Sequence, residues 1–371
     1  MSLNTDRQPP DHTPPDQPPA DQPPPDQPPP DQPAPDRSPP DRSVSVVIAT
    51  YTERRWTELT ETVRSALTQQ PSPARVVVAV DHNEPLLARV RAELPQVHAV
   101  RNRYARGASG TRNSGVDVVD TEIVAFIDDD EVASPGWLAR LTAAFTDPAV
   151  VGVGGSLVPI WSGRQPGWFP DECGWAIGVS YRGMPTTSTV VRNVWSANMA
   201  VRHEAFRSVG GFRVGFGKLA DRSRPEDTEL CIRMSAAVGG GRWMYVPDAV
   251  VGHHVPADRM RFGFFLRRSY NEGYGKIEMA RLLRGGTDDT AQLDVERDYV
   301  RRTLPRGIAR GLRQFVTGAD RCGAARASAI VAAMAAAALG VARASLSTRM
   351  GTDGPAPAAR QPAVVDDGGA R

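Results

Sequence analysis

The sequence predicts an α/β domain on a parallel sheet, followed by a helical extension. Three observations carry that reading. From residue 44 onward, short apolar runs alternate with amphipathic stretches of helical period. The runs are valine- and isoleucine-rich and nearly continuous, as in strands buried on both faces. Aspartates stand directly after two of them, at Asp81 and Asp128, where open α/β sheets bind ligands.

Val44 to Ala49 (VSVVIA) reads as the first strand, and Thr57 to Gln69 as a helix with Leu59, Val63, Ala66 and Leu67 on one face. Val76 to Val80 is a second strand, Pro85 to Leu94 a second helix, and Val97 to Val100 a short third strand. GASGTRNSG (107–115) reads as the glycine-bearing start of a helix. The strand EIVAFI then ends at Asp128-Asp129-Asp130, after which Ser134 and Pro135 suit a helix N-terminus. Residues 150–215 are less regular, with short strands in VVGVGGSLV and SANMAV. A helix from about Arg224 to Val238 and a strand from Trp243 to Val246 follow.

Both ends lie outside this pattern. Residues 1–42 repeat Asp every five positions from Asp11 to Asp41 among prolines, with no aromatic residue, which predicts solvated polyproline II. Residues 348–371 read as a disordered polar tail. The organisation predicted is a tail over 1–42, a catalytic domain over 43–256, a helical extension over 257–347 and a second tail.

A formal net charge of +2 gives no case for nucleic acid. Cys173, Cys231 and Cys322 are odd in number and lack metal-site spacing, which suits a reducing cytoplasm. Lys218 and Lys276 are the only lysines among 44 basic residues, a composition of GC-rich bacterial genomes. ASAIVAAMAAAALGVA (327–342) reads as a buried or membrane-surface helix before a spanning one, because alanine is only weakly apolar. RMRFGFFLRRSYNEGYGK (259–276) leaves two readings open. Its arginines and phenylalanines either rest on an anionic bilayer or belong to a helix packing its phenylalanines inward.

Four constellations bear on chemistry. Three adjacent carboxylates are costly unless a positive charge sits among them, and hard oxygen ligands there suit Mg²⁺ or Mn²⁺ shared with substrate phosphates. A solvated acidic turn is the bland alternative. Glu226-Asp227 at a helix start are explained by the macrodipole, yet a carboxylate beside a bound phosphate also serves as a general base. Arg112 and the glycines of 107–115 suit an anionic phosphate. His253 or His254 can complete a metal shell or be merely structural.

Taken in order, VSVVIATYTER, VAVDHNE, GTRNSG, FIDDDE, SANMAVRHEAFRSVGGF and PEDTELCIRM resemble a family 2 glycosyltransferase of the GT-A fold, over about residues 44 to 250. HHVPADRM with RRSYNEGYGK is similar to bacterial members with a basic helical segment after the catalytic domain. The resemblance implies inverting transfer from a nucleoside-diphosphate sugar, a UDP-sugar by preference, to a hydroxyl on a glycan, a lipid-linked carrier or a small metabolite. It implies that Thr50, Tyr51 and Glu53 meet the nucleotide base and Asp81 bonds its edge. Arg112 would meet the diphosphate, Asp128 the ribose, and Asp129 would lie with them in the nucleotide site. Asp130 would ligate the divalent metal, helped by His253 or His254, and Asp227 would be the catalytic base. His82 replaces a usual second acid, and no QxxRW motif of processive synthases occurs. The implied location is cytoplasmic, peripheral on the inner face of the membrane.

Two other readings are weaker. DDDEV also resembles the motif of haloacid dehalogenase-type phosphatases, with Asp128 as nucleophile, but that motif belongs to an opening strand and here two strand-helix units precede it. A non-catalytic scaffold with a working proline-rich tail would have little use for intact Asp128, Asp130 and Asp227.

Overall fold

A computed structural model describes residues 43–219, 222–224, 226–283 and 297–349. The predicted proline-rich repeat and residues 350–371 of the predicted polar tail lie outside the described residues, whereas Thr348 and Arg349 belong to a helix. Strands β1 (Val44–Thr50), β2 (Arg75–Val80), β3 (His98–Arg101) and β4 (Ile123–Asp128) are parallel and lie in the order β3-β2-β1-β4. Helices α1 (Trp56–Leu67), α2 (Glu84–Glu93) and α3 (Ala108–Val116) fill the three connections. The chain leaves β1 toward β2 on one side and returns as β4 on the other. A cleft therefore opens at the carboxyl ends of β1, β2 and β4, where Thr50, Asp81 and Asp128 stand.

The valine-rich strands alternate their side chains between two cores. Val46, Ile48 and Val78 belong to the cluster that includes Leu59, Leu86 and Trp137, whereas Val47, Val77 and Phe126 join Phe206 and Phe212 on the other face. Phe126 and Phe212 meet edge to face at 5.4 Å. Gly115 lets α3 lie flush on this sheet, since a Cβ there would stand 2.4 Å from Val47 Cγ1. That close approach holds Arg112, three residues earlier on α3, beside the end of β4.

Beyond β4 the sheet is mixed. β8 (Asn198–Arg202) runs antiparallel between β4 and β6 (Val150–Trp161), and β11 (Arg242–Val255) runs parallel to β6. β5 (Glu131–Ala133) and β7 (Thr189–Val191) pair antiparallel with β11, and β9 (Gly217–Leu219) and β10 (Arg222–Arg224) form a separate ribbon. α4 (Trp137–Ala143), α5 (His203–Ser208) and α6 (Glu226–Ala237) complete this part.

Three elements differ from expectation. β5 is three residues long, too short for any periodicity to show, yet it pairs Glu131 with His253. The strand expected over Trp243 to Val246 is only the start of β11, which continues past Pro247 through a register shift between Val246 and Val250. Ser134 does not cap α4. Its carbonyl accepts the Trp137 N–H at 3.0 Å, and Gly136, at φ 76°, occupies the N-cap.

The C-terminal part holds α7 (Phe262–Leu283), α8 (Leu304–Val316) and α9 (Gly323–Arg349). Of the two readings of 259–276, inward packing is observed. Phe265 is fully buried, and the Phe262 and Phe265 rings lie 4.9 and 5.4 Å from that of Trp168. Tyr299, on a π-turn over Tyr299–Thr303, accepts the Trp175 indole N–H at 2.8 Å and donates to the Glu172 carbonyl at 2.9 Å.

Candidate active site

The positive charge among the three aspartates is supplied by two arginines. Arg112 Nη2 donates to Asp128 Oδ1 at 2.6 Å, and its Nη1 reaches Glu226 Oε1 at 3.4 Å. This guanidinium is buried, so one cation ties the end of β4 to the start of α6, two segments nearly a hundred residues apart in sequence. Arg55, on the turn between β1 and α1, donates to Asp129 Oδ1 at 2.7 Å and lies 3.1 Å from Asp130 Oδ2. Sequence reasoning missed Arg55. The signal was the like-charge problem itself, to which a nearby arginine is as good an answer as a metal ion.

The base-proximal loop is placed only in part as expected. Tyr51 is 56% exposed at the cleft and Glu53 is also exposed. Thr50 is buried and its hydroxyl donates to Asp129 Oδ2 at 2.6 Å. Thr50 and Asp129, both expected to meet the nucleotide, are hydrogen-bonded to one another in this structure. Asp81 Oδ1 accepts from Asn102 Nδ2 at 2.7 Å and lies 2.8 Å from His82 Nδ1, while its Oδ2 accepts the Gly107 N–H at 2.9 Å. The Gly107 amide expected to face a phosphate is thus spent on Asp81. Asn113 is likewise structural, since its side chain exchanges two hydrogen bonds with the Phe212 backbone.

The two histidines part company because neighbouring strand residues point to opposite faces. His254 Nε2, expected as a possible metal ligand, lies 3.1 Å from Glu61 Oε2 on α1. His253 faces the aspartates: its Nδ1 lies 3.7 Å from Asp130 Oδ1 and 3.4 Å from Glu131 Oε1, and Arg259 Nη1 donates to its Nε2 at 2.9 Å. Among the described residues, His253 Nδ1 and Glu131 Oε1 are the buried side-chain polar atoms without a hydrogen-bond partner.

Those orphaned atoms test the fit of a divalent ion. No three His, Cys, Asp or Glu side chains among the described residues form a ready cage. Mg²⁺ and Mn²⁺ seldom need one, since they take one or two protein ligands and complete their shell with water and substrate phosphate. A carboxylate at Asp130 beside the unpartnered nitrogen of His253 is a donor set of that kind. The residues fit, provided that Arg55 yields Asp130 and Arg259 yields Nε2 so that Nδ1 can give up its proton.

Burial sets the electrostatics. It pushes Glu226 up to about 7, with Asp227 adding to the rise and Arg112 opposing it. It also raises Asp227, against the Thr228 N–H that donates to its Oδ1 at 2.7 Å, and takes Asp129 to about 6 and Glu131 well above the carboxylate range. Asp128 is the exception: burial pushes it up as well, but Arg112, His253 and Arg55 together hold it low. A raised carboxyl stabilises the fold below its unfolded pKa and loses that contribution as pH rises through the folded value. The metal-free protein is therefore expected to melt at higher temperature as pH falls from about 8 to about 6.5, through the titration of Glu226 near 7. Below that, His253, whose pKa burial lowers, contributes with the opposite sign. Melting curves of the wild type and Glu226→Gln in chelator check this, since the substitution should flatten the slope.

A parallel half-sheet with an acidic, arginine-braced cleft at its switch point, continued by a mixed half-sheet, defines a glycosyltransferase of the GT-A fold. The glycosyl transferase family 2 profile matches residues 45–210. The chain is 34% identical over 251 residues to the glucosyl-dolichyl phosphate glucuronosyltransferase of Haloferax volcanii, covering 66% of this chain and 80% of that one. It is 29% identical over 243 residues to the succinoglycan biosynthesis protein ExoM of Rhizobium meliloti, covering 62% and 72%. Among solved structures it is similar to the mannosyltransferase PcManGT of Pyrobaculum calidifontis in complex with GDP-Man and Mn²⁺, with 19% identity, a TM-score of 0.48 and coverage of 83% and 81%. The chain belongs to family 2 of the glycosyltransferases.

Proposed function

We propose that the chain transfers a single sugar, with inversion, from a nucleoside-diphosphate sugar to a hydroxyl, using Asp227 as the base. The observation that carries this is the Arg112 bridge, which brings Glu226-Asp227 to the acidic end of β4. In this reading the catalytic domain spans 43–256 and the helical extension 257–347. Tyr51, Glu53 and Asp81 receive the base, a uracil by preference, and Asp128 receives the ribose. Asp130 and His253 hold Mn²⁺ or Mg²⁺, which offsets charge on the diphosphate. Arg112, which pairs with Asp128 and Glu226, would meet the diphosphate.

Asp227 accepts the proton of the acceptor hydroxyl as its oxygen attacks the anomeric carbon from the face opposite the diphosphate. The C–O bond to the diphosphate breaks as the new one forms, so the configuration inverts. Burial that raises Asp227 makes it a better proton acceptor near neutral pH. The acceptor is taken to be a lipid-linked carrier or a cell-envelope glycan, in line with the dolichyl phosphate and succinoglycan activities of the relatives, and the enzyme is taken to work at the cytoplasmic face of the membrane. Proton NMR of the product formed from an α-linked UDP-sugar tests the mechanism: a β-linked product is expected, and an α-linked one would remove single displacement.

A further inference from the structure

Most exposed large hydrophobic residues among the described residues lie far along the chain from the cleft motifs. Eight of the fourteen exposed large hydrophobic residues among the described residues fall between Val300 and Leu346, so the exposed apolar surface is concentrated on the C-terminal helices. On α9, Val331 (53% exposed), Leu339 (65%) and Leu346 (54%) follow helical spacing, and Ala335, Ala338 and Ala342 continue the same stripe. No charged residue interrupts α9 between Arg326 and Arg343. On α8, Leu312 (48%), Phe315 (51%) and Val316 (82%) are likewise open to solvent.

Charge decides what such a face would meet. From Asp298 to Arg349 the sequence holds nine arginines and two acids, and Arg302, Arg310 and Arg326 pair with Asp298, Glu172 and Asp320, which leaves an excess of cations. Arg301, Arg306 and Arg313 are exposed on and beside α8. Apolar stripes bordered by arginines, with almost no carboxylate, match the interface of an anionic bilayer, where the apolar side enters the acyl boundary and the cations meet headgroup phosphates.

Geometry argues against α9 crossing the membrane. Its Gly323–Leu346 segment is long enough, with mean hydropathy 1.8. However, α9 is locked against α7 by mutual glycine contacts. A Cβ on Gly340 would stand 2.1 Å from the Tyr270 carbonyl oxygen, and one on Gly273 would stand 2.0 Å from that of Ala337. α7 carries the ion pairs Arg268–Glu272 and Lys276–Glu272, which are costly in hydrocarbon. A helix fixed along such a neighbour can lie in the interface plane but cannot leave it to span.

α8 is also tied to the cleft. Arg310 pairs with the buried Glu172, and Gly307 packs on the same side chain. Glu172 opens the turn Asp171–Ile177, after which Gly178 packs on His253, with 3.1 Å between a Cβ built there and Nε2.

We propose that the exposed face of α8 and α9 is an in-plane docking surface for an anionic lipid bilayer, which seats the catalytic cleft at the membrane without a spanning segment. This docking does not depend on the identity of the sugar or of the acceptor.

Flotation of the full chain with vesicles of phosphatidylcholine alone, or mixed equally with phosphatidylglycerol, tests it. Binding to the mixed vesicles only, weakened by high salt, is expected. Leu312→Asp and Leu339→Asp, at exposed positions, should each lower partitioning at least about tenfold, with circular dichroism and UDP binding unchanged. Wild type that ignores mixed vesicles, or variants that float as wild type does, would overturn the proposal. So would dimers in solution that the substitutions dissolve without vesicle binding, since a second copy would then cover the face. Vesicle-bound protein that resists alkaline carbonate would overturn the in-plane geometry. None of these outcomes bears on UDP binding, which reads the catalytic proposal separately.

Discussion

Asp227→Asn is expected to lower kcat by roughly 10²–10⁴-fold, the span that loss of a general base produces, while the Kd for the donor nucleotide stays unchanged. An asparagine oxygen can still accept the Thr228 N–H that Asp227 Oδ1 now accepts at 2.7 Å, so the start of α6 should survive. The neighbouring acid supplies the control. Glu226 is engaged with Arg112, and Glu226→Gln keeps an acceptor for that guanidinium, so its loss of kcat should be much smaller. Steady-state kinetics on both variants with one donor and acceptor pair read the difference. If Glu226→Gln were the crippled variant and Asp227→Asn the active one, the base would be Glu226.

Arg112→Leu should damage the fold itself. It removes the partner of Asp128 and Glu226 and leaves their charge in a poorly solvated cleft. Removing one member of a buried ion pair costs about 3–5 kcal/mol, equivalent to a fall in Tm of roughly 5 °C at this chain length. Adding Glu226→Gln should recover part of that loss, because one of the stranded carboxylates then becomes neutral. Calorimetric melting of the single and double variants measures it. An unchanged Tm in Arg112→Leu would mean that the bridge contributes nothing and that the two segments are brought together by packing alone.

The parallel half of the fold was legible because its strands are buried on both faces, which prints uninterrupted valine and isoleucine runs, and because α1 carries Leu59, Val63 and Ala66 on one side. The mixed half was less so. β5 and β7 are three residues each and are set by pairing with β11, and β11 itself breaks its pattern at Pro247. Such elements are dictated by distant partners, which local periodicity cannot see.

The candidate site divides in the same way. Asp81, Asp128 and Asp227 stand at element ends, at or just after β2, at the end of β4 and at the start of α6, so their places in the fold could be read from the strand and helix pattern. The contacts of Thr50, Asp129 and His254 were not legible, because which way a side chain turns depends on neighbours far along the chain: Asp129 and Thr50 on each other, and His254 on Glu61. Arg55 was missed altogether and Arg259 was read only as part of a basic stretch, since an arginine carries no local mark of the carboxylate or imidazole it will meet.

The most direct test of the account is calorimetric titration of UDP into the full chain with and without Mn²⁺, beside Asp130→Ala. The account predicts binding that strengthens with Mn²⁺ in the wild type and loses that dependence in the variant. Binding of equal strength with and without the metal, or metal-dependent binding that survives Asp130→Ala, would contradict the claim that the end of β4 and His253 join a cation to a nucleoside diphosphate.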